Sequence, residues 1–102
     1  MDSGRFYIGT DLKFQITINA TGFDQSKDKY NIDLYCGDKK LSFTQDDVIN
    51  SKGNYYLVVS TSSLNPGMMR MVITAMIPDE DCDDGYRNEI AVQNLGSLRA
   101  TM

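Results

Sequence analysis

Between Pro78 and Glu89 the chain reads Pro-Asp-Glu-Asp-Cys-Asp-Asp-Gly-Tyr-Arg-Asn-Glu, a run dense in carboxylates. Asp79, Asp81 and Asp83 alternate as hard oxygen ligands around calcium do. An EF-hand loop also needs glycine at its sixth position and a bidentate glutamate at its twelfth. Counted from Asp79, those positions hold Asp84 and Ile90. A calcium site of another kind would draw on Asp79, Asp81 and Asp84. The competing reading, which we favour, is a solvated turn. Asp79 or Asp84 then accepts backbone N–H groups, Gly85 supplies a positive φ, and Arg87 pairs with a nearby carboxylate. On that reading no metal or cofactor is expected.

The second concentration of chemistry is Met68, Met69, Met71 and Met76. Thioethers on flexible stems fill cores and also suit adaptable contact surfaces. Alternation puts Met69, Met71, Ile73, Ala75 and Ile77 on a core face. Met68, Val72 and Met76 fall on the opposite face and are the candidates for a partner interface. Catalytic constellations are mostly missing. The chain has no histidine, which removes the commonest general base and the Ser/His and Cys/His nucleophile systems. It contains no GxGxxG and no Walker loop. Carboxylate pairs alone make a glycosidase only across a cleft long enough for a sugar, which a small sandwich seldom builds. The expectation is a protein that is not an enzyme.

A net charge of −4 argues against nucleic acid, because phosphate binding depends on clustered cations. Lys27, Lys29, Lys39 and Lys40 come nearest to a patch, and acidic residues interrupt them. No stretch approaches the roughly 20 apolar residues of a membrane span, and the N-terminus has no signal-peptide core. The chain is expected to stay in the cytoplasm or to be delivered by an assembly. Asn19-Ala20-Thr21 fits the glycosylation pattern but is read as chance. Cys36 and Cys82 are too few for a disulfide framework. Free thiols are the default, with one bridge from a strand end to the acidic loop as the alternative.

These groups are positioned by strands. Leu12, Phe14, Ile16, Ile18 and Ala20 alternate with polar residues, the pattern of a half-buried strand. Ile32, Leu34 and Cys36 alternate next, and Gly37-Asp38 closes a hairpin into Lys39–Phe43. Thr44 and Asp47 can cap a short helix over Gln45–Ile49. Lys52-Gly53 leads into a strand over Asn54–Thr61, with Tyr55, Leu57 and Val59 on one side. One of Tyr55 and Tyr56 should face the core. Asn65-Pro66-Gly67 marks a turn, Met68–Ile77 is a strand ended by Pro78, and Tyr86–Leu95 is the last strand, with Ile90 and Val92 on one face and Glu89, Ala91 and Gln93 on the other. The prediction is an all-β, immunoglobulin-like antiparallel β-sandwich of about six to seven strands, with residues 1–102 as a single domain. Segments 1–8 and 96–102 are expected to be flexible or docking ends.

Gly9-Thr10-Asp11-Leu12, Gly22-Phe23-Asp24, Lys39-Lys40-Leu41, Gly53-Asn54-Tyr55-Tyr56, and Ile77-Pro78-Asp79 through Asp84-Gly85-Tyr86-Arg87-Asn88-Glu89 span nearly the whole chain. Together they resemble small β-sandwich structural proteins of tailed bacteriophages and prophages of gut Bacteroidales. The closing Pro-Asp-x-Asp-x-x-Asp-Gly-x-Arg-x-Glu pattern is the most specific part. The resemblance implies an immunoglobulin-like organisation and a virion role as an auxiliary capsid, head-fibre or neck component. Its partners would be other phage structural proteins, met in repeated copies of a symmetric assembly. The rival expectations are a tail or baseplate adaptor, and a calcium- or carbohydrate-binding surface recognition domain.

Overall fold

Side chains alternate across a strand, so each apolar alternation in the chain must find a second sheet to bury its face. A computed structural model describes residues 5–100. In chain order the strands are β1 (Arg5–Tyr7), β2 (Asp11–Gln15), β3 (Tyr30–Cys36), β4 (Lys39–Thr44), β5 (Ile49–Ser51), β6 (Asn54–Ser60), β7 (Gly67–Pro78) and β8 (Tyr86–Arg99). One sheet has the order β1-β8-β7-β3-β4 and the other β2-β6-β5. All pairings are antiparallel except β1 with β8, which is parallel. The expected all-β sandwich is what forms, with eight strands among the described residues; β1 and β5, three residues each, are the ones the sequence pattern did not show.

The core lies between the sheets. From the larger sheet it takes Ile32, Leu34, Met69, Met71 and Leu98, and from the smaller Leu12, Leu57 and Val59, all buried. Burying each such side chain stabilises the fold by about 1.5–3 kcal/mol. The methionine assignment holds: Met69, Met71, Ala75 and Ile77 are buried and Ile73 packs against the cluster. Tyr55 packs against the core, while Tyr56 lies under the Lys13 ammonium at 4.6 Å.

Several boundaries differ from expectation, among them that of the last strand, which runs on to Arg99 instead of ending at Leu95. Alternating burial continues to Ala20, but the β2 ladder stops at Gln15, leaving an extended segment tied by Ile16 N–H to Tyr55 C=O at 2.8 Å. The short helix is a single 3₁₀ turn, Gln45–Asp47, with the expected Thr44 and Asp47 capping box; Ile49 already belongs to β5, because pairing with Tyr56 draws it into the sheet. The strand from Asn54 ends at Ser60, where a second 3₁₀ turn, Thr61–Ser63, begins. The segments expected to be flexible are structured where described. Arg5–Tyr7 pairs with Ser97–Arg99, and Leu98 is a core residue. The remainder of those two expectations, residues 1–4 and 101–102, lies outside the described residues.

Candidate functional site

The β7–β8 hairpin dominates the molecule, with strands of 12 and 14 residues in a body 51 Å long, and it carries both candidate sites. The acidic run is its tip. Asp79 N–H donates to Gly85 C=O at 2.9 Å, Cys82 N–H to Asp79 C=O at 3.2 Å, and Gly85 N–H to Cys82 C=O at 3.0 Å. These bonds wind the loop into two successive turns. Gly85 sits at φ +84°, where L side chains are strained.

The carboxylates secure the turns. Asp79 Oδ1 accepts from Asp81 N–H at 3.0 Å, and Asp84 Oδ1 from Tyr86 N–H at 3.1 Å. Asp79 Oδ2 meets Arg87 Nη1 at 2.6 Å. The backbone N–H of Asp81, then the Arg87 guanidinium, hold the Asp79 carboxyl below its ordinary range. Arg87 also donates to Thr21 C=O at 3.4 Å, tying the tip to the segment that leaves the smaller sheet. A cation drawing on Asp79, Asp81 and Asp84 would have to displace the guanidinium from Asp79. Among the described residues no group of three or more His, Cys, Asp or Glu is placed to hold a metal ion.

The two cysteines are free thiols. Cys36 pairs in register with Met69 at one end of β7, while Cys82 follows Pro78 at the other, about 30 Å of strand away. A disulfide needs Cα atoms within about 7 Å, so the bridge alternative is excluded. Cys36 is fully buried, its Sγ 3.0 Å from Asn65 C=O, and burial pushes its thiol up.

The second candidate site is the outer face of the hairpin. Met68 is 65% exposed, and Val72 and Met76 are half-buried on the same side of β7. Val72 stands in register with Val92, and Thr74 with Ile90. Ile90 and Val92 are 66% and 60% exposed, so the apolar alternation of β8 faces solvent. Sequence pattern alone places Ile90 and Val92 on one face without saying that this face is the outer one. The cause is a register shift opposite Met69 and Arg70: Gly96 pairs with Met69 and Asn94 with Arg70, leaving Leu95 as an extra residue. A β-bulge of this kind reverses which alternate residues face inward. Leu98 therefore points into the core while Ile90 and Val92 point out. Towards β4 the same face turns cationic, with Tyr35 flanked by Arg70 at 5.0 Å and Lys40 at 5.8 Å from its ring.

Concavities are shallow. A groove of about 350 Å³ runs between the extended segment at Ile18 and Ala20 and the inner side of β8 at Glu89 and Ala91. Glu89 is its one titratable lining residue, and a lone carboxylate lacks the second group that acid–base catalysis on a sugar uses. In comparisons with known proteins, no family model, curated protein or solved structure matches the chain.

Proposed function

We propose that the protein is a non-enzymatic structural component of a tailed phage virion, an auxiliary capsid, head-fibre or neck protein acting through protein–protein contacts. The observation that carries the contact role is the outer face of the β7–β8 hairpin. Ile90, Val92 and Met68 are exposed there, and Val72 and Met76 extend the same apolar strip. An apolar strip rimmed by polar residues is the usual anatomy of a docking surface. The virion setting rests on the sequence resemblance, above all on the acidic closing pattern from Pro78 to Glu89.

The test is mass spectrometry of purified particles together with a Val72→Lys variant. Lysine at this half-buried outer position leaves the monomer folded. In a dry interface its unpaired charge blocks incorporation. Absence of the wild-type chain from the particles would remove the virion reading. Normal incorporation of a folded Val72→Lys protein would remove this face from it.

A further inference from the structure

A strand on the edge of a sheet presents unpaired N–H and C=O groups, and proteins guard such edges with lysine, proline, bulges or brevity. All four edge strands here are guarded in that way. β1 and β5 have three residues each; β4 opens with Lys39 and Lys40. β2 has five residues, with Asp11 and Lys13 exposed. The flank of β8 that β1 does not reach is different. β1 pairs with β8 only at Ser97–Arg99, and among the described residues no strand pairs with Tyr86–Gly96 on the side away from β7. That leaves about 33 Å of edge. It contains no proline and no lysine, and its bulge lies at the far end, at Leu95.

We infer that this edge takes a second copy of the chain, β8 against β8 in antiparallel pairing across a two-fold axis at Ala91. The inference rests on the assembly reading of the hairpin and names the partner. The argument is self-complementarity. With the axis at Ala91, Ile90 faces Val92 of the second copy, Asn88 faces Asn94, and Glu89 faces Gln93. No like charges meet, and two apolar pairs form beside Val72 and extend the outer strip from one copy to the next. Centring the axis on Glu89 would set two carboxylates against each other. Centring it on Ile90 would place Asn88 against Val92. The result is a continuous ten-stranded sheet joined by main-chain hydrogen bonds, an isologous contact.

Sedimentation of the full chain and cysteine cross-linking in a Cys82→Ser background test this. Dimer is expected for the wild type. Ala91→Cys should cross-link to itself under mild oxidation. Glu89→Cys and Gln93→Cys should cross-link when mixed but not singly, because their like positions lie about 13 Å apart. Ala91→Asp should weaken the dimer about tenfold or more by opposing two carboxylates, while the exposed position leaves the thermal transition intact. If Ala91→Asp fails to fold, the cross-linking register still decides. A chain monomeric at every concentration, a different cross-linking register, or an edge that pairs only with another protein would overturn the inference. A monomer that is nonetheless found in particles would overturn it while leaving the virion proposal standing, and a dimer absent from particles would do the reverse.

Discussion

Replacing Gly85 with valine isolates what holds the acidic tip together. The residue sits at φ +84°, and a Cβ built there meets no atom within 4 Å. The cost is therefore backbone strain alone, about 1–3 kcal/mol for a β-branched residue. Gly37, at the Cys36–Lys39 turn, has φ +59° and offers a contrast, because a Cβ there lies 2.9 Å from the backbone oxygen of Pro66. The two turns are tightly apposed from both sides, since a Cβ built on Gly67 would likewise lie 2.9 Å from Gly37 N. Gly37→Ala should thus add about 1–3 kcal/mol of crowding to about 1–2 kcal/mol of strain. Unfolding entropy near 2.1 cal/mol/K per residue converts each kcal/mol into about 5 °C of Tm for a chain of this size. Gly85→Val should lower Tm by about 5–15 °C, Gly37→Ala by at least as much, and Gly85→Asn by little, since asparagine tolerates positive φ. Thermal melts by circular dichroism, with urea titrations to check that the m-value is unchanged, read this directly. A neutral Gly85→Val, or a Gly85→Asn as damaging as valine, would refute the account of the tip as a strained turn.

Other outcomes follow from the same geometry. Lys52 lies at φ +54° in the two-residue β5–β6 turn, where asparagine is preferred, so Lys52→Asn should raise stability by about 0.5–1 kcal/mol in urea unfolding. Thiol titration of the native protein should label the half-buried Cys82 quickly and the buried Cys36 only on unfolding; equal rates would contradict the placement of Cys36. The Asp79 and Asp24 carboxyls are held low, Asp24 chiefly by the Ser26 hydroxyl at 2.5 Å. Their contribution is present above the unfolded value near 3.9 and is lost as pH falls through the lower folded values. Stability should therefore decline below about pH 4, and less steeply in Asp79→Asn, as read from Tm against pH. The raised Cys36 thiol acts in the opposite sense, with its contribution lost as pH rises beyond the ordinary thiol range. Calcium should leave Tm unchanged, because a ligand that does not bind the native state cannot stabilise it; micromolar binding by calorimetry, lost in Asp81→Ala, would show otherwise.

Covalent geometry fixes the two-residue period of a strand, so Leu12 to Ala20, Ile32 to Cys36 and Met69 to Ile77 declared their buried faces in the chain itself. Local turn chemistry was equally legible. Gly37-Asp38, the Thr44 and Asp47 cap and the Asp79, Gly85 and Arg87 tip each depend on residues a few positions apart. Only the tertiary structure decided which edge β1 joins, where β8 ends and which way its apolar residues point. Those outcomes depend on register between strands distant in sequence. One extra residue, Leu95, set against β7 turns Leu98 into the core and Ile90 and Val92 to solvent, and a period-two pattern has no means of announcing the residue at which its own phase reverses.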